Sequence, residues 1–355
     1  MLKYILLAVC LTAIRTPAAY AGDFIFGTTF SPRQCEYLGL DWQETYKAIL
    51  DFPFDIVRLG AYWSEIEKKE DEYDFSELDW LISQVKQRNV QIVLTVGMKA
   101  PRWPEYFIPS WALKKSRLRF GATVSKNAYL RERTLKFIEK VVARYRDETL
   151  ISHWQVENEA LNRFGGKHWK MDKYFLAEEI ELVRKLDSHH RKIILTASTY
   201  PNNFLRILSK IFTNAKPIME NLELCDIMGI NIYPLIGHKF WNRGFYFGSR
   251  KKGRNVYFSN IMENAQKKNK EIWVTELQAE PWEPGHLVYK HKQKPPTGWP
   301  EDTKLILKEL RSLGYNTFLL WGTEYWYYQK IKYNNPEWWE MAEEILKAGN
   351  QKFTQ

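Results

Sequence analysis

Short apolar runs alternate along the chain with longer stretches whose apolar residues recur three and four positions apart. The runs are FIFGTTF (24–30), IVRLG (56–60), IVLTVG (92–97), HWQVEN (153–158), IILTAS (193–198), IMGINIYP (227–234), IWVTEL (272–277) and TFLLWG (317–322). Each has strand length and strand composition. Between them, FSELDWLISQVKQ (75–87), YLRERTLKFIEKVVARY (129–145) and EDTKLILKELRSL (301–313) carry the helical spacing. A last helix, PEWWEMAEEILKAG (336–349), opens on Pro with acids in its first turn, as a helix start prefers. Eight strands, each followed by a helix, predict a (β/α)8 TIM barrel filling residues 22–355 as one domain. A doubly wound open sheet is the competing architecture. It needs fewer repeats, and no glycine-rich phosphate loop follows the first strand here.

A barrel of this kind places its chemistry where the strands end. The second strand ends with Arg58, and the fourth ends in Asn158 and Glu159. The sixth ends in Asn231 and Tyr233, the seventh in Glu276 and the eighth in Trp321. Strands four and seven lie on opposite sides of the barrel, so Glu159 and Glu276 are expected to face each other across its mouth. Two facing carboxyls are what glycosidic bond cleavage requires: one protonates the departing oxygen, the other supports the oxocarbenium-like centre. The group that protonates needs a raised pKa, from burial and from its partner's charge. Arg58 and Tyr233 would keep the other ionised, and Trp321 would offer a flat face to a sugar ring. A lone glutamate at a strand end is more often a loop salt bridge; the conjunction carries the argument.

The motifs WQVENE and VTELQAEPW resemble those of the large clan of retaining β-glycosidases built on a (β/α)8 barrel, in particular its β-galactosidase families. The resemblance implies that Glu159 is the acid/base and Glu276 the nucleophile. It implies further that Asn158 binds the sugar 2-hydroxyl, that Arg58 and Tyr233 hold the nucleophile, and that Trp321 forms the platform. Glu157 is then expected to be structural, paired with a nearby cation. Two departures weaken the galactosidase reading within the clan. The turn VGMKAPRWP lacks the His that many members place after the third strand, and the chain ends after the eighth helix, as in single-barrel endo-glycanases.

Composition adjusts this picture. Hydrophobic content of 45% and charged content of 26% describe a folded globular chain. The aromatic share of 15%, with 15 Trp and 20 Tyr, calls for a large core or a surface that stacks on something flat. Three aromatic segments could wall a cleft for several sugar units: WPEYFIPSW (103–111) with Trp103, the long segment 235–255 read as a loop without secondary structure, and EYWYYQK (324–330). Residues 1–21 read as a secretory signal cleaved after Ala21, which predicts a secreted or periplasmic protein without stable membrane insertion. Removing Lys3 and Arg15 with it lowers the formal charge from +10 to +8. The basic clusters at 114–119, 250–254 and 290–294 read as solvated loops rather than a nucleic-acid surface. Cys35 and Cys225 are expected to lie at opposite ends of the barrel, unpaired. No zinc-hydrolase, paired CxxC or GxSxG signature is present, so neither metal nor cofactor is expected. The partner is a β-linked carbohydrate. A glycan-binding barrel without catalysis, and transglycosylation through the same intermediate, stay open beside hydrolysis.

Overall fold

The structure is a computed structural model that describes residues 24–88, 90–162, 166–199, 217–248 and 251–350. The segment read as a secretory signal (1–21) and residues 351–355 lie outside the described residues. Eight parallel strands close into a barrel: β1 (Ile25–Thr29), β2 (Ile56–Gly60), β3 (Gln91–Val96), β4 (Ile151–Val156), β5 (Lys192–Ser198), β6 (Ile227–Ile232), β9 (Glu271–Gln278) and β10 (Thr317–Trp321). The eight runs read from the sequence are these eight strands, within a residue or two at each end. The helices at Ser76–Val85, Ala128–Tyr145, Pro300–Ser312 and Glu337–Asn350 match the four periodic segments. Among the described residues no helix is long and apolar enough to cross a membrane.

The segment 235–255 differs from its reading as a loop. It forms an antiparallel hairpin, β7 (Leu235–Phe240) with β8 (Arg243–Gly248), followed by the helix Lys251–Lys267. Three glycines disguise the strand pattern, and two have a packing reason. A Cβ on Gly237 or Gly244 would meet Pro284 at 2.5 and 2.8 Å, so only glycine lets the hairpin lie flat on the chain leaving β9.

Alternation along the strands builds the barrel interior. The inward floor is Ile25, Ile56, Val93, His153, Ile194, Ile227, Trp273 and Leu319, with the His153 ring against Trp273 at 4.7 Å. Two residues further along each strand point the same way. That step leads to Gly27, Arg58, Thr95, Gln155, Thr196, Gly229, Thr275 and Trp321, so the interior turns polar between the floor and the mouth. Gly229 leaves room that a Cβ would take from Thr275 and Thr196, both under 3.0 Å away. Cys35 and Cys225 are buried free thiols, as the sequence predicted.

Candidate active site

Glu276 reaches the interior through a bulge. The β6–β9 register shifts between Ile230 and Asn231, so Asn231 pairs with Glu276 instead of Thr275. An extra residue on one strand lets two consecutive side chains share a face. Thr275 then donates to Asn231 Oδ1 at 2.7 Å, while Glu276 turns toward the barrel axis. Arg58, in the middle of β2 rather than at its end, donates to Glu276 Oε1 at 2.8 Å, to Thr29 Oγ1 at 2.8 Å and to Gln155 Oε1 at 3.2 Å. The Tyr233 hydroxyl donates to Glu276 Oε2 at 2.6 Å. Both carboxylate oxygens are thus held. Burial pushes the Glu276 pKa up, Arg58 pulls it down, and the charge of Glu159 pushes it up again. Tyr233 titrates well above its usual value, through burial first and then the charge of Glu276. It therefore remains a donor.

The polar triplet after β4 is a tightly fixed turn. Glu157 and Glu159 both have positive φ, 60° and 49°, a conformation that costs non-glycine residues on the order of 1–3 kcal/mol each. Hydrogen bonds from neighbouring strands hold it. Glu157 accepts the backbone N–H groups of Met98 and Lys99 at 2.6 and 2.5 Å. Its carboxyl occupies the space beside Gly97, where a Cβ would stand 2.2 Å from Oε1. The Glu159 N–H donates to Thr196 Oγ1 at 2.8 Å, and the buried Lys99 ammonium donates to the Glu159 carbonyl at 3.0 Å. Lys99 also pairs with Glu105 at 3.0 Å. This lysine lies in the turn where the clan commonly has histidine.

Glu157 is structural, as expected, but its partners are two backbone amides and a second buried carboxyl instead of a cation. Glu179, on the helix Lys173–Leu186, is that second carboxyl, fully buried, and the charge of Glu157 acts on it. Burial drives Glu179 well above the ordinary range and Glu157 to about 7. With two amides already favouring an ionised Glu157, Glu179 is the member that keeps the proton.

Asn231 donates to Glu159 Oε1 at 2.6 Å and Asn162 to Oε2 at 3.0 Å. The Asn158 carbonyl oxygen accepts from Gln155 and Thr196, each at 3.1 Å, so its amide group is oriented by the barrel interior. Glu159, Glu276, Asn158, Tyr233, Trp321 and Trp103 all line one cavity of about 300 Å³ at the mouth of the barrel. Arg58 and Asn231, read from the sequence as strand-end residues of the sugar site, are instead fully buried behind the two carboxyls, Arg58 holding Glu276 as expected. They act on the carboxyls and not on the cavity.

Three groups in the cavity wall escaped the sequence reading. Trp282, half-buried, lies edge-on to Tyr233 with ring centroids 5.1 Å apart. Arg102, buried, donates to Glu280 Oε1 at 2.6 Å and to Glu324. Its guanidinium also stacks on Trp321, 3.9 Å from the ring centroid. One face of the expected sugar platform is thereby covered, and Trp321 is only 8% exposed. Trp282 supplies a second aromatic surface. Glu280 completes the wall, its pKa raised to about 7 by burial against the opposing pull of Arg102.

The β-galactosidase family Glyco_hydro_42 matches residues 30–174, a span that includes Asn158 and Glu159 and stops short of Glu276. The likeness read from the motifs is borne out. The β-galactosidase Bga of Halorubrum lacusprofundi is 25% identical over 130 residues, covering 34% of this chain and 18% of that protein. The fold is shared with the β-galactosidase of Marinomonas ef1 (TM-score 0.61, 13% identity, 91% of this chain and 59% of that one). It is also shared with GH5_18 from Streptomyces cattleya, solved in complex with GlcNAc (TM-score 0.56, 12% identity, 84% and 70%). The aligned part spans less than a quarter of the curated relatives' length.

Proposed function

We propose that the chain is a retaining β-glycoside hydrolase acting on β-linked oligo- or polysaccharide. The observation that carries this reading is the clamped Glu276, held by Arg58 and Tyr233, in the same cavity as Glu159. Glu276 attacks the anomeric carbon as the bond to the leaving oxygen breaks, and Glu159 gives that oxygen its proton. A water then enters, Glu159 takes its proton, and the oxygen displaces Glu276 from the anomeric carbon. Asn158 meets the sugar 2-hydroxyl. A sugar hydroxyl in place of that water gives transglycosylation by the same route.

The family likeness favours a β-galactosidase-like activity, and endo-glycanase action is the second specificity within the same chemistry. The N-terminal pattern supports export to the periplasm or the medium. The test is turnover of aryl β-glycosides and β-linked polysaccharides by the chain from Gly22, with Glu159→Ala and Glu276→Ala beside it. Release of phenol or reducing ends by the parent, lost in both variants, supports the reading. Binding of a glycan without turnover of any substrate defeats it in favour of a non-catalytic barrel.

A further inference from the structure

We propose that the outward face of the β7–β8 hairpin is a row of aromatic subsites. It would carry the sugar units of a β-linked chain that extend beyond the catalytic cavity. This deepens the glycosidase reading and rests on it.

The register divides the hairpin into two faces. Leu235 pairs with Gly248, Gly237 with Tyr246 and Lys239 with Gly244; Ile236 pairs with Phe247, His238 with Phe245 and Phe240 with Arg243. Paired residues share a face and the faces alternate. The glycine-bearing face packs onto the chain leaving β9. There Gly237 and Gly244 abut Pro284, the Gly237 N–H donates to the Trp282 carbonyl at 2.7 Å, and the Tyr246 hydroxyl donates to Glu283 at 2.8 Å. The hairpin is therefore anchored along its back.

Among the described residues the other face has no such cover. Phe240 is 53% exposed and Phe245 is 44% exposed, and Trp241 at the tip is 96% exposed. The rings form a connected series: His238 to Phe247 at 5.9 Å and Phe240 to Phe245 at 5.7 Å between centroids. Exposed aromatics gathered in one patch mark a binding surface.

The position of His238 decides the occupant. It lines the catalytic cavity and its ring lies 6.4 Å from that of Trp282. The aromatic face therefore begins at the cavity wall and runs outward from it. From Ile236 to Trp241 it extends about 17 Å, room for a few sugar rings in line. Flat rings separated by open backbone suit the C–H faces of successive sugars. A lipid surface is served less well: among the described hairpin residues 235–248 the face holds one cation, Arg243, while Lys239 lies on the anchored side, and beyond the hairpin Arg254 is paired with Glu309 at 2.6 Å.

The test measures binding of β-1,4-linked gluco-, manno- and galacto-oligosaccharides of two to six units by isothermal titration. It uses the Glu276→Gln chain, with and without Phe240→Ala/Phe245→Ala, with melting curves to show that both fold. Affinity should rise with chain length in the parent. In the ring-deleted form the longest ligand should lose at least about tenfold, equivalent to ~1.4 kcal/mol, and the loss should shrink toward the disaccharide. The same length dependence in both proteins, or no oligosaccharide bound at any length, overturns the proposal. So does co-sedimentation with phosphatidylglycerol vesicles that requires Phe240 and Phe245, since the face would then be a lipid contact. Turnover of aryl β-glycosides and β-linked polysaccharides by the unsubstituted chain is read separately. If it fails while length-dependent binding holds, the glycosidase reading falls and the subsites stand.

Discussion

Replacing Tyr233 by Phe removes one hydrogen bond and little else. The ring keeps its edge-on contact with Trp282 at 5.1 Å, and Arg58 keeps its 2.8 Å bond to the other oxygen of Glu276. What is lost is an O–H donor 2.6 Å from Oε2, which stabilises the ionised carboxylate and hardly touches the protonated one. A hydrogen bond to a charged group is worth roughly 1.5–3 kcal/mol, and each pKa unit corresponds to about 1.36 kcal/mol. Deleting the donor should therefore raise the Glu276 pKa by about 1–2 units, and the surviving Arg58 favours the lower end. The group must be ionised to attack, so the acidic limb of kcat/KM should move to higher pH by that amount. The assay is the pH profile of kcat/KM on an aryl β-glycoside for parent and Tyr233→Phe, with melting curves to confirm the fold. An acidic limb that stays in place, or moves to lower pH, refutes the reasoning.

Gly97→Ala puts a Cβ 2.2 Å from Glu157 Oε1 at a φ of 118°; a loss above about 3 kcal/mol in urea unfolding is expected from strain and displaced hydrogen bonds together, and a change within about 0.5 kcal/mol would contradict the packing. Arg102→Met leaves Glu280 and Glu324 buried without their cation, so denaturant midpoints should report a cost of about 3–5 kcal/mol; an unchanged midpoint would remove the network from the account. Glu157 titrates at about 7 and Glu179 well above its usual value, both raised by burial. Their contribution to stability is thus full below the ordinary carboxylate pKa and is lost as pH rises, through about 7 for Glu157 and through its own raised pKa for Glu179. Glu179→Gln should flatten the fall in stability above the ordinary carboxylate range by up to about 1.4 kcal/mol per pH unit, and parallel profiles for parent and variant would sink the assignment of the proton to Glu179.

The barrel was legible because its two periodicities are long and regular, and the site because inward positions repeat every second residue toward the mouth. Arg58 stands two residues beyond Ile56, and Trp321 two beyond Leu319. The same stepping from Trp273 reaches Thr275, not Glu276; only the bulge in β9 makes both inward, and nothing local in the sequence signals a bulge. Arg102 was hidden for another reason. Its partners Glu280 and Glu324 lie 178 and 222 positions away, and a lone Arg in a proline-bounded turn reads as a solvated loop. The hairpin was missed because its glycines serve packing against Pro284, yet RGFYFG alone carried enough aromatic residues to suggest a strand. Glu157 was placed correctly as structural, but a cation was the obvious partner on paper. The backbone amides that replace it become visible only when the turn after β3 meets the turn after β4.

The central claim, that Glu276 forms the covalent glycosyl-enzyme while Glu159 moves the proton, is tested most directly by trapping. The chain from Gly22 is treated with activated 2-deoxy-2-fluoro β-glycosides of galactose, glucose and mannose, which slow release of the covalent intermediate, and the digest is read by mass spectrometry. The account predicts one fluoroglycosyl adduct on the peptide containing Glu276, absent in Glu276→Ala and retained in Glu159→Ala when the leaving group needs no proton. Turnover of the parent glycosides with the label on another carboxyl, or with inverted configuration at the anomeric carbon, contradicts it.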